Sequence, residues 1–179
     1  SPEPLLSPSW SNDGKKIAYV SFEGKNSSVF IQDISTGNRT QVSKFSGINS
    51  SPNWSPDDSH LALTLSKDGN TEIYTMNLLT KSLKRITQNN GIDTEPIWSP
   101  DGKKLAFTSD RSGSPQIYEV AIKNGKAKRL SFEGAYNARP RYSPDGKFIT
   151  LVHSTGGSYH IALLNLTSGY INVLTNGPL

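Results

Sequence analysis

The side chains here that could hold a metal or act as nucleophile and base are three histidines, fifteen Asp and Glu, and many serines. A zinc site needs three or four His, Cys or carboxylate ligands in one place, and the sequence has no cysteine. His60 follows the turn after Trp54, His153 lies on a second strand and His160 opens a third, so the three are not expected to meet. Serine chemistry needs a Ser–His–Asp relay or a Gly-x-Ser-x-Gly elbow. No such elbow occurs, and no Ser, His and Asp converge by position. Four aspartates, Asp13, Asp57, Asp101 and Asp145, each stand two residues after a serine. A turn-stabilising carboxylate is copied in this way, whereas a catalytic one is rarely needed four times. Asp68 and Asp110 lie where a cation could sit, but their spacing fits no calcium loop. No catalytic residue, metal or cofactor is therefore expected, and the chain reads as a binding protein rather than an enzyme.

Composition narrows the partners. The 19 Lys and Arg against 15 Asp and Glu give a net charge of +4, but the basic residues are dispersed and form no dense run. Nucleic acid is therefore not an expected partner. No apolar run reaches the ~18 residues of a membrane helix, so no direct membrane insertion is expected. The 15 Gly and 11 Pro are spread along the chain and mark frequent turns. The opening Ser1-Pro2-Glu3-Pro4 has no basic stretch of the signal-peptide type and no Met, and reads as the start of a piece cut from something longer.

The elements that must position any site repeat. Trp10, Trp54 and Trp98 stand 44 residues apart, and one more step reaches Tyr142. Each aromatic follows a proline by two residues, at Pro8, Pro52, Pro96 and Pro140. Each precedes a related turn: Ser11-Asn12-Asp13-Gly14, Ser55-Pro56-Asp57-Asp58, Ser99-Pro100-Asp101-Gly102 and Ser143-Pro144-Asp145-Gly146. Asn12 replaces the usual Pro, Asp58 the usual Gly, and Tyr142 the usual Trp. A second turn carries Gly37, Gly125 and Gly169, with Lys81 in the second copy.

Every copy holds four strand-like runs. The second run, for example, is Ile17–Val20, Leu61–Leu65, Leu105–Thr108 and Phe148–Val152, mostly β-branched, aromatic or aliphatic. No segment sustains a helical period. Four short antiparallel strands in a repeat of 40–50 residues make one propeller blade. The fold class is therefore all-β: a β-propeller region of four 44-residue, four-stranded antiparallel blades, at roughly 8–51, 52–95, 96–139 and 140–179.

The repeat Pro-x-Trp-Ser-Pro-Asp-Gly-Lys-x-Leu-Ala-Phe, with Thr94-Glu95-Pro96-Ile97-Trp98 and Gly156-Gly157-Ser158-Tyr159-His160-Ile161-Ala162, resembles the TolB-like propellers of the bacterial Tol–Pal system. The resemblance covers essentially the whole chain. It implies a six-bladed propeller preceded by a small α/β domain and a signal peptide, so this chain is expected to be a fragment of four blades. It also implies a periplasmic location and a protein partner, the peptidoglycan-associated lipoprotein, with other Tol proteins as further partners. The alternative reading is the substrate-gating propeller of a prolyl-oligopeptidase-like hydrolase whose catalytic domain lies elsewhere. A sugar-binding propeller would repeat exposed aromatics in every loop, and here only Tyr136 stands out.

Blade geometry turns the repeat into a site expectation. The first strand of each blade lines the central channel, so the residues just before each proline lie at its mouth. These positions differ between copies while the framework does not. Leu6 and Ser7; Asn49 and Ser51; Asp93, Thr94 and Glu95; and Asn137 and Arg139 are the expected partner-binding residues. Thr94 and Glu95 match the family pattern best, and Glu95 is suited to accept backbone N–H groups of a partner. The loops at 23–26, 67–69, 110–113 and 154–157 are expected on the same face.

Overall fold

The computed structural model describes residues 3–123, 125–175 and 177. They form four separate antiparallel sheets, each made from four strands consecutive in the chain. The first is β1 (Leu5–Trp10), β2 (Lys16–Ser21), β3 (Ser28–Asp33) and β4 (Arg39–Ser43). The second is β5 (Asn49–Trp54), β6 (His60–Leu65), β7 (Glu72–Asn77) and β8 (Leu83–Arg85). The third is β9 (Asp93–Trp98), β10 (Lys104–Ser109), β11 (Gln116–Ala121) and β12 (Ala127–Arg129). The fourth is β13 (Tyr136–Tyr142), β14 (Phe148–Ser154), β15 (His160–Asn165) and β16 (Ile171–Val173). Each first strand thus starts three or four residues before the proline at which the sequence alone divides the copies.

Alternation along the strands lets one blade bury both faces. On β6, Leu61, Leu63 and Leu65 pack toward the first blade, with Ala18, Val20 and Val29. Ala62 points the other way and meets Trp98, Leu105 and Phe107 of the third blade. Ala106 meets Ile149 and Tyr142 of the fourth in the same manner. An alanine on the second strand thus leaves room for the large residues of the following blade. Burying a side chain such as Leu63 or Phe107, both fully buried, is worth roughly 1.5–3 kcal/mol.

The outer flanks are uncovered. Trp10 is 59% exposed, whereas Trp54 and Trp98 are 5% and 8% exposed. Ile161 is 38% exposed, although Val29, Ile73 and Ile117 at the same repeat position are fully buried. The first and fourth blades therefore do not cover one another.

The Ser-x-Asp turns close in a common way. The Ser11, Ser55, Ser99 and Ser143 hydroxyls donate to Asp13, Asp57, Asp101 and Asp145 at 2.6–2.7 Å. The same aspartates accept backbone N–H groups from Lys15, Ser59, Lys103 and Lys147. Those bonds favour the charged carboxylate and hold its pKa below the usual range, to about 2 at Asp57.

Candidate functional site

Each channel-lining strand carries a bulge at one repeat position. The register with the second strand breaks between Leu6 and Ser9, Ser50 and Asn53, Thr94 and Ile97, and Ala138 and Arg141. At the bulge, Ser7, Ser51, Glu95 and Arg139 hold φ of 51°, 50°, 57° and 57°. Each precedes a proline, which has no N–H to give to the ladder. A left-handed residue other than glycine costs roughly 1–2 kcal/mol, so the surrounding strands must enforce it in every blade. The bulge residues of the four blades share one pocket of about 500 Å³, lined also by Leu6, Pro8, Pro52, Pro96, Ser9, Asn53 and Arg141.

The polar groups of this pocket are asymmetric. Arg139 Nε lies 3.3 Å from Glu95 Oε1. Glu95 Oε2 accepts the Thr108 hydroxyl at 2.9 Å and the Arg139 backbone N–H at 3.1 Å. The Glu95 N–H in turn donates to the Thr64 hydroxyl at 3.2 Å. Glu95 therefore bridges the third and fourth blades. Arg141 donates to the Pro140 carbonyl at 2.7 Å and has no carboxylate partner among the described ion pairs. Tyr136 lies beside the pocket, its hydroxyl pKa raised by burial and then by the Glu95 charge. Its ring meets Tyr159 edge-on at 5.3 Å.

Five of the residues expected from sequence line the pocket: Leu6, Ser7, Ser51, Glu95 and Arg139. Thr94 is half-buried on β9 and lies outside the lining. Asn49, Asp93 and Asn137 require a correction, because all three are fully buried and are not mouth groups. Asn49 accepts from the Ser43 hydroxyl and the Phe45 N–H, and donates to the Phe45 and Gly47 carbonyls. Asp93 is held by Arg111 at 2.5 Å and Asn89 at 2.8 Å. Asn137 donates to Gln116 and to the Glu133 carbonyl. At this repeat position the polar side chain ties down the loop between blades. Burial raises the Asp93 carboxyl pKa against the opposing pull of Ser109 and Arg111.

A second recurring group escaped the sequence reading, although the 44-residue spacing marks it: Ser43, Thr87, Ser131 and Thr175. The last three accept the N–H groups of Ile73, Ile117 and Ile161 at 2.8–3.0 Å. The hydroxyls of Thr87 and Ser131 also donate to Glu72 and Gln116. They clasp the outer edge of the blade to the interblade loop.

The histidine expectation also needs correcting. His153 and His160 are cross-strand partners on β14 and β15. His153 Nδ1 lies 2.8 Å from Asn137 Oδ1, and His160 Nδ1 donates to the Thr175 carbonyl at 2.9 Å. Burial lowers the His153 pKa. No group of three or more metal-binding side chains occurs among the described residues. A larger cleft of about 560 Å³ lies between the second and third blades at the opposite end of the strands, lined by His60, Thr75, Asn77, Lys84 and Trp98 among others. Only two blades contribute to it, whereas the mouth draws on all four.

Known proteins share this fold. TolB of Acinetobacter baumannii superposes with a TM-score of 0.93 at 49% identity, covering 100% of this chain and 45% of that one. The Tol-Pal system protein TolB of Xylella fastidiosa is 67% identical over 51 residues, 28% of this chain and 12% of that protein. A putative TolB from Agrobacterium tumefaciens, at 20% identity and a TM-score of 0.80 over 97% of this chain and 81% of that one, shares the fold. The chain thus spans less than half the length of the Acinetobacter protein. The profile of the TolB beta propeller domain matches residues 1–179, and the chain belongs to that family.

Proposed function

We propose that this chain is a non-catalytic, periplasmic protein-binding scaffold that docks the peptidoglycan-associated lipoprotein at the channel mouth and so supports outer-membrane integrity. The observation that carries the reading is the shared pocket. Four blades with one framework place four bulge residues in it, two of them Ser and the others Glu and Arg. A uniform frame with divergent tips is how a rigid scaffold presents a recognition surface. Other Tol proteins are further partners in this reading.

The test is calorimetric titration with the purified lipoprotein domain. Saturable binding is expected. Glu95→Lys, which sets a second cation beside Arg139 and removes the acceptor for Thr108, is expected to weaken it about tenfold or more, the loss typical of an interface residue whose charge is reversed. Absence of heat from folded protein would overturn the proposal.

A further inference from the structure

The repeat places a second set of groups three residues ahead of the pocket-lining bulges at Ser51, Glu95 and Arg139. Ile48, Ile92 and Tyr136 stand 44 residues apart, immediately before or at the start of β5, β9 and β13. Ile48 is 46% exposed and Ile92 51% exposed. Tyr136 carries the ring of Tyr159, itself 50% exposed, at 5.3 Å. Backbone bonds fix the two isoleucines: Ile48 N donates to Ser66 Oγ at 2.8 Å and Ile92 N to Asp110 Oδ1 at 2.6 Å. The exposed Ile48 and Ile92 and the half-buried Tyr136 at the same repeat position form an apolar collar, to which Leu6, 50% exposed on the pocket lining, adds in the first blade.

Inside the collar the charges do not cancel. The titratable groups lining the pocket are Glu95, Arg139 and Arg141. Glu95 and Arg139 neutralise each other at 3.3 Å, which leaves the exposed Arg141 guanidinium as the uncompensated charge deeper on β13. A guanidinium selects a carboxylate by paired N–H donors.

We infer that the protein captured at the mouth presents a carboxylate-bearing tip that enters the pocket toward Arg141, flanked by apolar side chains that cover Ile48, Ile92 and Tyr136. This rests on the reading of the mouth as a protein-docking site and specifies its chemistry. Interfaces of this kind draw most of their affinity from a few desolvated anchors, and the collar would exclude water from the ion pair at its centre.

The experiment titrates the lipoprotein domain into four variants, with thermal melts alongside. Arg141→Gln and Ile92→Asp are each expected to weaken binding at least tenfold with unchanged melts. Arg141→Lys, which keeps the charge, is expected to retain binding within threefold. Leu79→Asp, at a residue 90% exposed on the β7–β8 turn, is expected to change nothing. Raising the salt from 50 to 500 mM is expected to weaken the unsubstituted chain and leave Arg141→Gln nearly unaffected. Binding that survives both Arg141→Gln and Ile92→Asp within twofold overturns this inference and leaves the docking reading standing. Failure of the unsubstituted chain to bind overturns both.

Discussion

The carboxylate of Asp58 caps the turn of the preceding blade at Asn12. Asp58 Oδ1 accepts the Asn12 backbone N–H at 2.8 Å and its side-chain amide at 2.9 Å, and Oδ2 accepts the Asp13 N–H at 2.9 Å. At the next two junctions the same positions hold proline and glycine, Pro56 beside Gly102 and Pro100 beside Gly146, where a carbon added to either glycine would stand 3.7 Å from the proline Cδ. The two departures from the repeat are therefore one substitution in two places. Proline has no N–H to give, so the carboxylate gains two of its three bonds only where Asn stands opposite.

Asn12→Pro and Asp58→Gly are expected to be coupled. Asp58→Gly removes all three bonds, offset in part by relief of its left-handed backbone at φ 57°, and Asn12→Pro removes the two from Asn12; each alone is expected to lower stability by about 1 kcal/mol. The double variant recreates the proline–glycine pairing of the other junctions and is expected to lie about 1 kcal/mol above the sum of the singles. Urea melts of the four proteins give the cycle, and simple additivity would refute the pairing.

A second coupled pair spans the third and fourth blades. The Tyr142 hydroxyl donates to Glu119 Oε1 at 2.8 Å, while Lys104 reaches Oε2 at 3.0 Å. At the junction of the second and third blades, Thr75 stands at the position of Glu119 and Trp98 at that of Tyr142. Tyr142→Phe is expected to cost about 1–2 kcal/mol, and much less in a Glu119→Thr background. Chemical denaturation measures both.

Lys81 holds φ at 59°, where the other three blades have glycine. Lys81→Gly is expected to be neutral to stabilising by up to about 1 kcal/mol, because relief of the left-handed strain outweighs the added freedom of the unfolded chain. Gly169→Ala, at φ 76° with open space around the added carbon, is expected to destabilise by about 1 kcal/mol. A rise in melting temperature for the first and a fall for the second is the expected pattern.

Acid should weaken the fold through the turns. Asp57 is held at about 2, first by the Ser55 hydroxyl and then by Ser59, and Asp33 at about 2 by Ser35 and Thr36. A depressed folded pKa contributes stability that is present above the unfolded value, ~3.9, and is lost as pH falls through about 2. Asp93, raised by burial, acts with the opposite sign and favours the fold as it protonates. Stability followed from pH 6 to pH 2 is expected to fall mainly below pH 4, and Asp57→Asn should flatten that fall.

The period, the strands and the turns were legible because each is written four times in local chemistry. The channel mouth was legible as far as Ser7, Ser51, Glu95 and Arg139, since propeller geometry fixes which residues precede the first proline. Their left-handed backbone was not, because no glycine marks it. Asn49, Asp93 and Asn137 read as exposed from their polarity, yet they are buried. Their partners, such as Arg111 and Gln116, come from loops and strands whose contact only the assembled blades reveal. The meeting of His153 and His160 likewise depends on a strand register that spacing alone does not set.

The bulge before each proline restricts what the mouth can say. A left-handed backbone position excludes the β-branched residues Val, Ile and Thr more strongly than it excludes Ser, Asn, Asp, Glu, Lys or Arg. The four bulge positions can therefore exchange charge and hydrogen-bonding capacity while disfavouring β-branched side chains. Drift at the mouth is channelled toward polar dialects, and new specificities arise by altering the pattern of charge on a surface whose shape stays constant.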